Sequence, residues 1–88
     1  MIIRYQQHAL RDLKKIEKKK RLFIVEQINT LEKYTHPLDH PKVKKIVNSP
    51  SGMYRLKADN YRVIFSEEGE VAMILHVRKR NESSYRNL

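Results

Sequence analysis

Cysteine and tryptophan are absent from these 88 residues, and glycine and proline number only two and three. Without thiols the chain has no disulfide framework, no thiolate chemistry and no Cys-based zinc site. So few glycines and prolines leave little room for long loops, and the sequence reads as continuous secondary structure with short joints. Long hydrophobic runs are missing too. The longest, residues 22–25 and 71–75, fall far short of the roughly 20 residues that a membrane-spanning helix needs, so no membrane partner is expected. The opening Met1-Ile2-Ile3-Arg4-Tyr5 lacks the basic segment and apolar stretch of a secretory signal, which makes the cytoplasm the expected compartment.

Acidic residues are scarce as well: 10 Asp and Glu stand against 19 Lys and Arg, a formal net charge of +9. Such a charge repels itself and weakens the compact state, and it suits a polyanionic partner such as nucleic acid or an acidic protein. The length allows one domain, residues 1–88, with a small core in two packed layers. A large enclosed cofactor pocket does not fit in so small a body, and no cofactor is expected.

Periodicity divides the chain into an α part followed by a β part. A β-branched and aromatic run, residues 2–5, predicts a brief strand. Ala9, Leu13 and Ile16 then recur at i, i+4 and i+7, and Ile24, Ile28 and Leu31 repeat the spacing. Together they predict a two-helix antiparallel hairpin, with Lys18-Lys19-Lys20-Arg21 where one helix yields to the next and Pro37 ending the second. The basic stretch Lys42-Val43-Lys44-Lys45-Ile46 is compatible with either a strand or a helical turn. From residue 53 onward the period is two, and three antiparallel strands are expected: 53–58, 61–66 and 71–77. The fold class is α+β, a helical hairpin packed on a small, mainly antiparallel sheet, with a short helical turn or tail at the C-terminus.

Register places the charges. Asp59-Asn60 suits a two-residue hairpin connection, which sets Lys57 opposite Arg62 and puts Tyr54, Leu56, Ala58, Tyr61, Val63 and Phe65 on the core face. Arg55, Lys57 and Arg62 share the other face, and like charges directly opposite one another destabilise a sheet unless an anion sits there. The next loop, Glu67-Glu68-Gly69, fits three residues, pairing Ser66 with Glu70 and Val63 with Met73. Val71, Met73, Leu75 and Val77 would then join the core, with His76 and Arg78 on the charged face. Arg and Lys converging on one face suit phosphate, which guanidinium groups grip bidentately.

The run Met53-Tyr54-Arg55-Leu56-Lys57-Ala58-Asp59-Asn60-Tyr61-Arg62-Val63-Ile64-Phe65 resembles the central signature of the RelE/ParE superfamily, toxins of type II toxin-antitoxin pairs. The likeness extends to the first strand, the helical hairpin and a last strand ending in the basic cluster Val77-Arg78-Lys79-Arg80, with Tyr85-Arg86 after it. What it implies, in the RelE-like branch, is an mRNA interferase: a metal-independent endoribonuclease that enters the A site of the 30S subunit of the 70S ribosome and cuts mRNA there. Such cleavage uses the RNA's own 2'-hydroxyl, and it needs a proton acceptor, positive charge on the phosphorane and a donor for the 5'-oxygen.

By similarity Arg55, Lys57, Arg62, Arg80 and Tyr85 form the catalytic set. Lys57, among cations that make an ammonium release its proton more readily, is the expected base. Arg55 and Arg62 would stabilise the phosphorane, Arg80 would hold the scissile phosphate, and Tyr85 would orient the nucleotide. Lys42, Lys44, Lys45, His76, Arg78 and Lys79 are the expected RNA contacts. Where many relatives read Val-Gly-His-Arg, this chain has Val77-Arg78-Lys79-Arg80 and offers no histidine. His8, His36 and His40 show no metal-ligand spacing, so no metal site is expected. The resemblance also implies a cognate antitoxin in a hetero-oligomeric complex. Two alternatives stay open: a ParE-type inhibitor of DNA gyrase and a non-catalytic RNA-binding module.

Overall fold

The computed structural model describes residues 1–47 and 52–80. Its elements are β1 (Ile2–Tyr5), α1 (Gln7–Lys14), α2 (Lys18–Asn29), β2 (Val43–Lys45), β3 (Met53–Ala58), β4 (Tyr61–Glu68) and β5 (Val71–Lys79), with short 3-10 turns at Thr30–Lys33 and Pro37–Asp39. The period-two segment folds as the meander β3-β4-β5. β2 joins antiparallel to β3, which settles residues 43–45 as strand, and β1 joins parallel to β5. The result is one mixed sheet in the order β1-β5-β4-β3-β2.

Both helices cover one face of that sheet. α1 lies against β5 and α2 against β3, burying Ala9 and Leu13 from the first and Ile24 and Ile28 from the second among Leu56, Val63, Phe65, Ile74 and Val77. Tyr54 and Phe65, directly paired across β3 and β4, stack with ring centroids 5.7 Å apart. Each fully buried Ile or Leu contributes about 1.5–3 kcal/mol, and Ile28→Ala would cost about 2–5 kcal/mol. That packing holds α2 against its own electrostatics. Lys18, Lys19 and Lys20 fill its first turn, where the helix dipole disfavours cations, and the carboxylate beside them is that of Glu17 at the N-cap.

The helices are shorter than the periodicity predicts. α1 stops at Lys14, where the Lys15 N–H reaches back to the Asp12 carbonyl and the Ile16 N–H to the Leu13 carbonyl, so Ile16 falls in the joint, although it is buried. The lysine run opens α2, which ends at Asn29, and Leu31 is carried by the following 3-10 turn well before Pro37.

The β3–β4 register is as expected: Ala58 faces Tyr61, Lys57 faces Arg62 and Tyr54 faces Phe65. Asp59 takes the positive φ (+56°) that the two-residue turn requires. The β4–β5 register differs. β4 runs on to Glu68, which pairs with Val71 around a two-residue Gly69-Glu70 turn, and Ser66 pairs with Met73 instead of Glu70. Ala72 and Ile74 are buried, while Val71, Met73 and Leu75 are not. A bulge between Ile64 and Phe65 then leaves Leu75 without a direct partner, because Phe65 pairs with Ile74 and Ile64 with His76. One extra residue reverses the alternation of faces. Val77 therefore returns to the core, paired with Val63, and His76 and Arg78 reach the charged face after all.

Candidate functional site

Two rows of side chains cross the outer face of the sheet. One runs Lys44, Arg55, Ile64, His76 through β2, β3, β4 and β5; the other runs Lys57, Arg62, Arg78 through β3, β4 and β5. Three cations directly in line are costly in a sheet that gains nothing from them. Two backbone bonds hold this end together. The Lys57 N–H donates to the Lys42 carbonyl at 3.0 Å, and the Arg80 N–H donates to the Asn60 carbonyl at 2.6 Å. The first ties the strip before β2 to β3, and the second brings the residue after β5 to the β3–β4 turn.

These constraints form a cleft of about 930 Å³ lined by Phe23, Pro41, Lys42, Lys44, Arg55, Lys57, Asp59, Arg62 and Arg80. Six lining residues are cations and one is a carboxylate. The Arg62 Nη1 donates to the Asp59 carbonyl at 3.2 Å and to the Tyr61 carbonyl at 3.0 Å, so its guanidinium is folded over the turn at the cleft wall. Converging cations over so small an area focus a positive potential, and what the arrangement can do chemically is hold a phosphate and stabilise extra charge on it.

His40 supports the rim. Its Nδ1 accepts the Lys42 N–H at 3.0 Å, so its proton resides on Nε2 and is donated to Thr30 Oγ1 at 2.8 Å. The Thr30 hydroxyl in turn donates a hydrogen bond to the Gln27 carbonyl. Burial, and then the Lys42 charge, lower the His40 pKa from its ordinary value, which keeps the ring neutral and this relay intact.

Of the sequence-predicted site residues, Arg55, Lys57, Arg62, Arg80, Lys42 and Lys44 meet in the cleft. Tyr85 lies outside the described residues. Lys45 is exposed but pairs with the core-facing Tyr54, one step out of phase with Lys44, and does not line the cleft. Lys79 lines a smaller depression of about 430 Å³ with Lys20, Asn60, Tyr61 and Arg80. His76 and Arg78 share the face but not the cleft. Arg78 is turned to α1, where its Nη2 lies 3.2 Å from His8 Nε2 and 3.4 Å from His76 Nδ1 and its Nη1 lies 3.8 Å from Asp12 Oδ1. Burial, then His8 and Arg78, lower the His76 pKa, opposed by Asp12.

Two participants were not legible in the sequence. Phe23, 42% exposed on α2, is one residue off the apolar stripe, and that offset was the available signal. It stands between the cleft and a neighbouring groove of about 360 Å³ lined also by Lys19, Lys20 and Tyr61. Asp12 falls within the first helical pattern and is 9% exposed. Where β1 ends opposite Ile74, the edge of β5 continues with no strand partner on that side among the described residues, and Asp12 Oδ2 accepts its Val77 N–H at 3.0 Å.

Among the described residues, no helix is long and apolar enough to cross a membrane. A comparison with curated proteins finds no match. Solved structures do match. The RelB-RelE antitoxin-toxin complex from Methanococcus jannaschii aligns at TM-score 0.73 and 22% identity over 97% of this chain and 98% of that one. The archaeal RelE-RelB complex from Pyrococcus horikoshii gives 0.72 and 22% over 93% and 97%. The YoeB dimer from Staphylococcus aureus gives 0.70 and 17% over 89% and 94%. At such identities the likeness establishes the fold, helices on one face of a mixed five-stranded sheet. The sequence itself carries the assignment further, because residues 3–83 match the family described as the ParE toxin of type II toxin-antitoxin systems. The fold, the outer-face signature strands and this match together make the chain a member of the RelE/ParE superfamily of type II toxin-antitoxin toxins.

Proposed function

We propose that this toxin is a metal-independent endoribonuclease that cuts mRNA in the ribosomal A site and thereby inhibits translation. The observation that carries the reading is the meeting of Arg55, Lys57, Arg62 and Arg80 in one open cleft, with Lys42 and Lys44 at its wall. A single-stranded backbone laid across it would place a phosphate among four cations.

Lys57 is the base that takes the 2'-hydroxyl proton. The 2'-oxygen attacks the adjacent phosphorus, the pentacoordinate phosphorane gains charge, and Arg62 and Arg55 stabilise it. Arg80 holds the phosphate near the departing 5'-oxygen. Breaking the P–O5' bond leaves a 2',3'-cyclic phosphate on one fragment and, once the oxygen is protonated, a 5'-hydroxyl on the other. Tyr85 completes the set by resemblance. Phe23 offers a flat apolar wall on which a base can stack, and Lys20, Lys79 and Arg80 extend the basic track beyond it. A cognate antitoxin that neutralises this face is the expected protein partner, and the ribosome is the expected setting.

The test is a bacterial cell-free translation reaction with purified toxin and Arg62→Ala as control, mapping new RNA ends by primer extension. Ribosome-dependent cuts inside A-site codons that vanish in the variant support the reading. The family match, which is to ParE toxins, favours a second reading, inhibition of DNA gyrase. Intact mRNA together with stalled supercoiling by gyrase would select it.

A further inference from the structure

On the side of the sheet face away from the cleft, three side chains with metal-ligand chemistry surround one guanidinium. His8 and Asp12 stand at i and i+4 on α1, a spacing that points both to one side of the helix, and His76 comes from β5. The Arg78 guanidinium lies between them: Nη2 is 3.2 Å from His8 Nε2 and 3.4 Å from His76 Nδ1, and Nη1 is 3.8 Å from Asp12 Oδ1. A guanidinium can only donate. Both imidazoles therefore present lone pairs, and the carboxylate an anionic oxygen, to the same point. One ligand atom from each of His8, Asp12 and His76 lies within 4.8 Å of the others.

We propose that this cradle binds a divalent late transition-metal ion of the zinc type, which takes the place of the Arg78 guanidinium and is held by His8 Nε2, Asp12 Oδ1 and His76 Nδ1, with water completing the coordination. Zinc bonds of about 2.0–2.2 Å set tetrahedral ligands roughly 3.4 Å apart, and His8 Nε2 already stands 3.7 Å from Asp12 Oδ1. The carboxylate is pre-oriented. Its Oδ2 is fixed by the Val77 N–H at 3.0 Å, which leaves Oδ1 aimed into the cradle in the way a supporting hydrogen bond aims a metal ligand. The two imidazoles sit edge to face with centroids 4.5 Å apart, and His8 is exposed, giving an ion a path inward. Two nitrogens and one oxygen suit zinc, nickel or copper and not magnesium or calcium, which take oxygen ligands. Arg78 is a competing cation, so the site exchanges one positive group for another.

The site is independent of the chemistry in the cleft, and so is its test. Titration calorimetry of the full chain with Zn²⁺, and visible absorption with Co²⁺ as the spectroscopic substitute, would be run on the wild type and on His8→Ala, His76→Ala and Arg78→Ala. The expected result is one ion per chain, binding weakened about tenfold or more by loss of either histidine, and binding tightened in Arg78→Ala. Arg78→Gln, which keeps much of the stem and removes the charge, replaces that variant if it does not fold. Binding that is equally tight in His8→Ala, an exposed position whose loss leaves the core intact, would put the ion elsewhere and overturn the proposal. So would the failure of both Arg78 variants to bind more tightly than the wild type.

Discussion

Arg62 and Arg78 are paired directly across β4 and β5, yet their guanidiniums turn to different partners. Arg62 folds over the β3–β4 turn onto two backbone carbonyls and lines the cleft. Arg78 turns to α1, where a carboxylate and two imidazoles receive it. Both arginines belong to the same row with Lys57, and two neighbouring guanidiniums would repel one another. Supplying Asp12 to one of them removes a cation from the row's unfavourable sum. The Asp59 and Tyr61 carbonyls orient the Arg62 guanidinium at the cleft wall. Position on a strand sets which face a cation occupies, and the contacts brought by other elements set where its guanidinium turns.

The sharpest way to break this contrast is to remove each arginine in turn. On the ribonuclease reading, Arg62→Ala takes away a donor aimed at the phosphorane and should lower single-turnover cleavage by about 10²–10³-fold. Arg78→Ala should lower it by no more than a few-fold. Equal losses, measured as the rate of appearance of new RNA ends, would mean that Arg78 swings into the cleft when RNA arrives.

Asp12 is the element that separates the two, and its loss should register first in stability. Asp12→Ala leaves the buried Val77 N–H without an acceptor and should cost about 2–3 kcal/mol in urea denaturation. Arg78→Ala removes a 3.8 Å, partly exposed ion pair and two longer contacts to His8 and His76, and should cost about 1 kcal/mol or less. A reversed order would show the ion pair, and not the edge hydrogen bond, to be what fastens α1 to β5.

On the cleft side, Phe23→Ala should weaken binding of single-stranded RNA about tenfold, the scale of one lost base–aromatic stack, while Phe23→Trp retains it. Comparison of an ordinary oligonucleotide with an abasic one of equal charge isolates the effect. If Phe23→Ala weakens both alike, Phe23 acts on the shape of the cleft and not on a base.

How far the sequence foretold this arrangement differs along the chain. The row Lys57–Arg62 was legible because a two-residue turn leaves one register, and alternation does the rest. The next hairpin was misread, since Glu67-Glu68-Gly69-Glu70 accommodates a turn in more than one frame. Val71, Met73 and Leu75 were assigned to the core in place of Ala72 and Ile74. Val77 and His76 still came out on their true faces because the bulge at Leu75 restores the alternation, and no local signal announces a bulge. Arg78 was placed on the right face, and its contact with α1 is one that the sequence does not announce. Its capture by Asp12 joins residues 66 positions apart and its contact with His8 residues 70 apart, contacts that depend on β1 ending where β5 continues. Four of the five expected catalytic residues meet in the cleft, because all four follow from turn, register and strand end.

The smallest expected effect concerns pH, and it tests the support of the cleft through His40. In the folded chain this ring is held neutral, its pKa lowered by burial and then by the Lys42 charge. The unfolded chain regains an ordinary imidazole, near 6.5. Between the lowered value and 6.5 the unfolded state binds the extra proton and the folded state does not, so stability rises with pH across that window. It is complete above about pH 6.5 and is lost as the pH falls. Protonated Nδ1 can no longer accept the Lys42 N–H, and the Lys42 carbonyl is the acceptor for the Lys57 N–H, so acid should loosen the cleft wall while leaving Arg62 on its carbonyls. The midpoint of urea unfolding should therefore fall modestly from pH 7.5 toward pH 5.5. His76, lowered in the same direction, adds to the slope from the other region, so His40→Asn should flatten it only in part. No change of slope in His40→Asn would assign the acid sensitivity to His76, and with it to the region that holds Arg78.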